Sequence, residues 1–357
     1  MSKEKYITKI SPKEDERWDA FVQDHPFGSI YHHSLWAEVI EKTYGYTPLY
    51  IALEDEQKNI RAALPFFIVN SQVTGCRIVS LPFSDYCDAL VHGTRDLKTI
   101  TNFALKELQN CGGGYLEMRA HRSVNYFSGL QFSMSLDSVD HVLNLSDDLN
   151  ALMNSFHKSY VQRYIKKAIS SSIRVKQVDN ENGVQVCYDL LARTRKKHGL
   201  PPHPYAFFKN MWEVLHPAKL ADIFIAYEGD TPIASIILGM FKDTTYYLYG
   251  GSDSKYLSNR PNHLLLWNAI ESAAIHGYRY FDFGRTSITN HGLLNFKRRW
   301  GTSEYPIPHF WFSRSGESLK LANRSSGKEY SYKHKVIQRL PLALLKMSGS
   351  LIYRHLG

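Results

Sequence analysis

Two stretches of the chain follow one hydrophobic plan. Residues 49–53 read as a β-strand, 54–59 as a polar turn and 60–70 as a second strand. Residues 222–227, 228–230 and 231–241 repeat strand, turn and strand, and Ile51-Ala52-Leu53-Glu54 is echoed by Ile225-Ala226-Tyr227-Glu228. After each hairpin the period changes. Leu97, Ile100, Phe103, Ala104 and Leu108 have helical spacing, Gly112-Gly113-Gly114 stops that helix, and 115–118 reads as a strand. In the second copy an aromatic strand over 244–249 comes first. Asn262 then caps a helix running to His276, Gly277 ends it, and 278–283 is a strand.

Hairpin, strand, helix and strand therefore occur twice. This predicts an α/β (α+β) protein of two tandem, homologous domains, each a mixed sheet flanked by helices. The first is expected over 1–145, the second over 146–313, and 314–357 as a basic linker with an amphipathic tail. At the junction, Ser146-Asp147-Asp148-Leu149 starts one helix expected to run through Tyr164 and Ala168. Residues 185–198 form another, and Pro201, Pro202 and Pro204 break any helix beyond it.

Bulk numbers sharpen this only in part. The 357 residues suit two domains, and 43% hydrophobic with 22% charged residues is ordinary for a globular protein. A net charge of +9 suits an anionic partner, or simply aids solubility. Cys76, Cys87, Cys111 and Cys187 form no Cys-x-x-Cys pair and no His cluster completes a zinc spacing, so buried reduced thiols and no metal are expected. The first residues lack an apolar signal core, and no run of roughly 18 apolar residues occurs. A cytoplasmic protein is expected. No helix-turn-helix, zinc-finger or RNA-recognition signature points to DNA or general nucleic-acid binding.

Candidate chemistry gathers late in the chain. Gly277-Tyr278-Arg279-Tyr280-Phe281-Asp282-Phe283-Gly284-Arg285 puts an Asp and an Arg at a strand end, where open α/β sheets offer ligand sites. Asn290-His291-Gly292-Leu293-Leu294-Asn295-Phe296-Lys297 comes next. Lys297, among apolar neighbours, is a snorkelling cation or a group aimed at developing negative charge. Arg285 can grip a phosphate or carboxylate in bidentate fashion. Asp282 orients one of these cations or forms a cap or salt bridge, and Phe296 walls the position or packs in the core. Ser84, Asp85 and Tyr86, after Leu81-Pro82-Phe83, face a cleft or make a turn. Tyr249 stacks on a base or sugar or joins the core. Arg163, with His157 and Lys158, makes a phosphate-binding or a solvated face. Gly250-Gly251-Ser252 reads as a tight turn. No Gly-x-Ser-x-Gly elbow appears, which excludes the common hydrolase plan.

These motifs resemble those of the FemAB-like transferases, a branch of the GNAT acyltransferase superfamily. Asp282-Phe283-Gly284-Arg285 and Phe296-Lys297 are similar to the family's C-terminal motif. Phe66-Phe67-Ile68-Val69, Ser80-Leu81-Pro82-Phe83-Ser84-Asp85-Tyr86, Lys197-His198-Gly199-Leu200-Pro201-Pro202-His203-Pro204-Tyr205 and Tyr249-Gly250-Gly251-Ser252 stand in the family's order, over about residues 15–312. Arg163-Tyr164-Ile165-Lys166-Lys167 resembles its basic segment.

The resemblance implies two GNAT-like domains and transfer of an aminoacyl or acyl group onto an amine or hydroxyl of an envelope glycan or its precursor. Lys297 is then an electrostatic catalyst, with Asp282 and Arg285 beside it. No cofactor is held tightly; the co-substrate is aminoacyl-tRNA or acyl-CoA. The alternatives are an acyl-CoA-dependent N- or O-acetyltransferase of exopolysaccharide synthesis, or a non-catalytic binding module of a glycan system. Two departures stand out. Branching enzymes carry a lysine close after the first-helix Trp, whereas the charged residues nearest after Trp36 here are Glu38 and Glu41, and the Arg/Gln-x-x-Gly-x-Gly/Ala pyrophosphate loop of acetyltransferases has no good copy. The basic, apolar tail over 333–357 either lies on an anionic membrane surface, at the inner membrane face, or docks on the protein.

An acyl-CoA donor predicts that acetyl-CoA raises the melting temperature saturably, by a stabilisation of roughly 2.7 kcal/mol at 100 times its dissociation constant. A tRNA donor predicts no such rise.

Overall fold

The computed structural model describes residues 6–313 and 328–355; the polar stretch 314–327, expected to be linker, lies outside them. In chain order the strands are β1 Tyr6–Ile10, β2 Thr47–Glu54, β3 Ile60–Ser71, β4 Gly75–Val79, β5 Tyr115–Arg119, β6 Ser133–Ser135, β7 Ser138–Asn144 and β8 Ile173–Gln177. They continue with β9 Ala221–Glu228, β10 Thr231–Phe241, β11 Thr244–Ser252, β12 Tyr280–Asp282, β13 Thr286–Ser287, β14 Ser303–Pro306 and β15 His309–Ser313. The helices are α1 Arg17–Asp24, α2 Ser34–Tyr44, α3 Thr94–Asn110, α4 Leu149–Ser155, α5 Arg163–Ser170, α6 Glu181–Lys197, α7 Tyr205–Leu215, α8 Pro261–Ile275, α9 His291–Arg298, α10 Lys328–Arg339 and α11 Leu342–Tyr353.

The duplicated plan is present in space. The first unit holds a sheet in the order β1-β2-β3-β4-β5-β15-β6, and the second a sheet in the order β13-β7-β12-β11-β10-β9-β8, with β14 beside β7. In each, an antiparallel hairpin (β2–β3, β9–β10) leads to a third antiparallel strand, then a helix, then a strand parallel to the third. The parallel pairs are β4–β5 and β11–β12, and the helices that cross between them are α3 and α8. Local chemistry fixes the hairpins. Asp55 accepts from the backbone of Gln57 and Asn59 at 3.0 and 2.9 Å, and Gly229 turns the second hairpin at φ +59.

Sequence order and sheet order differ at the boundaries. The parallel strand β5 is neighboured in space by β15 from the far end of the sequence, whereas β12 is neighboured by β7 from the first half. By compactness, and among the described residues, unit 1 comprises 6–138, 306–313 and 352–355, and unit 2 comprises 139–305 and 328–351. The boundaries at 145 and 313 drawn from pattern alone thus cut through an exchange. A period-2 strand carries no label for its sheet, and pairing closes what would otherwise be an open edge.

The core of unit 2 lies between its sheet and α8, which is apolar around most of its circumference and buries Leu264, Leu265, Leu266, Trp267 and Ile270. Phe281 of β12 and Trp300 are fully buried in the same core. The single helix expected across 149–168 is two. Phe156 leaves α4 and inserts its ring between Trp267 and Trp300, the His157 N–H donates to Arg299 O at 2.9 Å, and a π-helical turn over Lys158–Gln162 leads into α5. The helix expected from an Asn262 cap starts instead at Pro261, after Arg260 in the left-handed region. Of the cysteines, Cys87 and Cys187 are buried, while Cys76 and Cys111 are half-buried with their sulfurs 2.8 Å apart.

Gly250 and Gly251 are not a turn: both lie within β11. A Cβ at Gly251 would stand 2.5 Å from the backbone nitrogen of Leu191 and 2.6 Å from the carbonyl carbon of Leu190, so α6 crosses the strand at glycine. Gly251→Val is expected to destabilise the protein by about 1–3 kcal/mol, read as a lower urea midpoint, because a helix backbone cannot yield as a side chain can.

Candidate active site

The site is built where β11 and β12 part. Their parallel pairing covers Thr244↔Tyr280, Thr245↔Phe281 and Tyr246↔Asp282, and then stops, while β11 runs on to Ser252. In the β10–β11 ladder the register steps from Ile237↔Tyr249 to Leu238↔Tyr247, which leaves Leu248 as a bulge. A bulge bends its strand and often re-aims it beside a site. Residues 247–250 are half-buried along the opened edge. An opening at the C-terminal ends of parallel strands is where such sheets take ligands.

Across that opening the Asp282-Phe283-Gly284-Arg285 turn is closed by two side chains. Phe281 and Phe283 both belong to the core and lie 5.1 Å apart, so alternation turns Asp282 to the opposite face. Its Oδ1 accepts from the Gly284 N–H at 2.6 Å. Gly284 adopts φ +74, a conformation that favours glycine. Lys297, in the last turn of α9 and only 5% exposed, donates from Nζ to Gly284 O at 2.6 Å and approaches Arg285 O at 3.4 Å. The Asn290 side chain caps the start of α9 through the Leu293 N–H, which sets the angle from which Lys297 arrives.

Two groups missed in the sequence complete this cluster. Asp140 and His141 of β7 are fully buried, and His141 O accepts from the Phe283 N–H at 2.8 Å. The Thr302 hydroxyl donates to Lys297 O at 3.1 Å and meets His141 Nδ1 at 3.2 Å, so Nδ1 carries the proton in that contact. Burial first, and then the charges of Lys297 and Arg298, bring the His141 pKa down to about 4 despite the opposing pull of Glu304. The imidazole is therefore neutral at physiological pH. The signal was available: two adjacent polar residues in Ser138-Val139-Asp140-His141-Val142 interrupt an otherwise regular strand.

The other residues singled out in the sequence have the following surroundings. Arg285 exposes its side chain. Phe296 packs against the core, with its ring 5.5 Å from His263. Tyr249 sits among Phe207, Phe208 and His203, with ring centroids 5.2–5.8 Å away. Arg163 is exposed at the start of α5, with its guanidinium 5.3 Å from the Tyr164 ring. Nearby, Arg299 lies 3.5 Å from the Tyr160 ring, and a hollow of about 510 Å³ is lined by Ser155, His157, Asn295, Arg298, Arg299 and Gly301. Ser84, Asp85 and Tyr86 belong to unit 1. Ser84 is buried and donates its hydroxyl to Leu81 O at 2.7 Å, Tyr86 is buried between Tyr31 and His121, and Asp85 is half-buried. Leu81 and Phe83 in that loop hold φ +43 and +64, values that store strain in bulky residues. Among the described residues no group of His, Cys, Asp or Glu is arranged to hold a metal.

Comparison with known proteins bears on this geometry. Residues 155–298 match the family model of the acetyltransferase (GNAT) domain. The chain is 21% identical to a lipid II:glycine glycyltransferase of Staphylococcus epidermidis, over 94% of this chain and 98% of that one. It is 22% identical to the enzyme of the same name from Staphylococcus saprophyticus, over 81% and 88%. Among solved structures, FemX superposes with a TM-score of 0.70 at 16% identity, covering 86% of this chain and 97% of that one. A tandem GNAT protein from the clavulanic acid biosynthesis pathway gives 0.57 at 9% identity, covering 88% and 100%. The fold is thus that of a tandem GNAT protein. The likeness to the lipid II:glycine glycyltransferases and to FemX agrees with the resemblance of the motifs to the FemAB-like transferases.

One buried and one half-buried histidine make stability depend on pH. His141 and His263 have folded pKa values of about 4, below the 6.5 of a free imidazole. The unfolded chain therefore binds protons that the folded chain refuses. Stability is full above about pH 6.5 and falls as pH drops through the window down to 4. Thermal melts across that range are expected to show this slope, and His141→Gln to flatten it, whatever the variant does to the melting temperature at neutral pH.

Proposed function

We propose that this protein is an aminoacyltransferase that forms an amide on an amine of a lipid-linked peptidoglycan precursor, taking the aminoacyl group from charged tRNA and working at the inner membrane face. The observation that carries this reading is the likeness to proteins named lipid II:glycine glycyltransferase, which for one of them runs along nearly the whole of both chains. A chain alike from end to end has the parts for the same reaction class, whereas a shared GNAT domain alone would leave the donor open.

In this reading the acceptor amine attacks the ester carbonyl carbon of the aminoacyl-tRNA. The carbonyl electron pair moves to oxygen, and the tetrahedral oxyanion collapses with cleavage of the carbon–oxygen ester bond. The amine proton leaves for the released ribose oxygen. Lys297 offers a preorganised positive charge in a dry setting, where it stabilises an oxyanion far better than in water. The Gly284 carbonyl holds it there, and Asp282 fixes Gly284 through its N–H. Arg298, Arg299 and His157 around the basic hollow suit phosphates of donor or acceptor.

The start of α8 speaks for tRNA over acyl-CoA. A helix N-terminus cradles a pyrophosphate with its free N–H groups. Here Pro261 at the first position has none to give, and Asp253, which pairs with Arg193 at 2.7 Å, brings a carboxylate to the segment leading into the helix.

The test is transfer by the purified protein to a lipid-linked precursor, from glycyl-tRNA and separately from acetyl-CoA. Amide formation from glycyl-tRNA alone is expected. Lys297→Met is expected to slow it by about 10²–10³, the size of a lost oxyanion donor, with the fold retained by circular dichroism. Transfer from acetyl-CoA alone would overturn the donor assignment, and transfer from neither would overturn the reading.

A further inference from the structure

The C-terminal helix has two unlike sides. On one, Leu345 is buried, Lys346 Nζ pairs with Asp189 at 2.5 Å, and Gly349 lies so close to Pro202 that a Cβ would stand 2.0 Å from its carbonyl oxygen. This side is fastened. On the other, Leu344, Met347 and Leu351 are 52%, 68% and 68% exposed. Their spacing lines them up on one face of a helix, and Ala343 and Ser350 are exposed beside them. A helix already docked by its inner face has no folding reason to carry a second apolar stripe in water.

Charge decides what covers it. From His334 to His355 the chain holds Lys335, Arg339, Lys346 and Arg354 and no Asp or Glu. Lys335, Arg339 and Arg354 are exposed, on α10 and at the end of α11. A short apolar stripe on a segment whose own charged residues are all cations fits the boundary between headgroups and acyl chains of an anionic bilayer. Its three side chains on a 12-residue helix are too few for a stable protein interface, which takes on the order of 20–30 residues a side. Among the described residues no helix is long and apolar enough to cross a membrane, so the contact is peripheral.

We propose that the outer face of α11, with Lys335 and Arg339 of α10, lies on the surface of an anionic lipid bilayer. This goes beyond the transferase reading and stands without it, because binding is measured with no donor or acceptor present. The experiment is flotation of the full chain with vesicles of phosphatidylcholine alone and with phosphatidylglycerol added. Binding to the anionic vesicles, weakened by salt, is expected, with little to the neutral ones. The variant Leu344→Glu/Met347→Glu/Leu351→Glu is expected to bind at least about tenfold more weakly, with an unchanged melting temperature. Lys335→Gln/Arg339→Gln is expected to lose part of the preference for anionic lipid. Absence of flotation, or flotation undiminished in the triple variant, would overturn the proposal. So would a concentration-dependent dimer by sedimentation that the triple variant abolishes, since a second copy would then cover the face.

Discussion

Gly284 is gripped at both its polar atoms: its N–H by the Asp282 carboxylate and its carbonyl by the Lys297 amine, each at 2.6 Å. The rest of the site depends on this pair of bonds. A left-handed glycine between two bulky neighbours has no fixed shape of its own. Fastened at both ends, it fixes where β12 stops, where Arg285 emerges and how far α9 stands from the sheet. The two charged groups also settle each other's burial, since each is held by hydrogen bonds to the same short turn rather than left bare in the interior. Loss of either would leave the other against a backbone that no longer answers it.

His141 and Thr302 extend the same arrangement on the Lys297 side. A neutral imidazole beside an amine adds no competing charge, and its Nδ1 proton satisfies a hydroxyl that in turn holds the main chain of Lys297. Through Thr302 the imidazole is thereby tied to the main chain of Lys297. The electrostatic role proposed for Lys297 needs a fixed charge, for a charge that must first reorganise gives up much of its effect.

Much of this was legible in the sequence. Hairpins declare themselves by alternation and by Asp or Gly at the turn, α3 by spacing and α8 by the glycine that ends it, so the duplicated plan stands out from pattern alone. The turn and its lysine were legible as a motif. What escaped has one cause in common: it depends on contacts distant in sequence. The Leu248 bulge leaves no compositional trace. The break at His157 results from Phe156 finding Trp267 and Trp300, and the glycines of β11 look like a turn until α6 is laid across them. The strand exchange is the extreme case, because nothing local in β7 or β15 says which sheet it completes.

That exchange reaches beyond the finished molecule, into its synthesis. β5 ends at Arg119, and its neighbour β15 begins only at His309. At about 5–20 residues per second, a ribosome leaves the edge of the first sheet open for roughly 10–40 s after β5 is made. An unpaired edge is a template for any other strand nearby. The first unit therefore cannot mature as an independent early domain. The nascent chain must carry an unfinished sheet through most of its translation, and a break in the message after the first half would release a product with a sticky edge and no means of closing it.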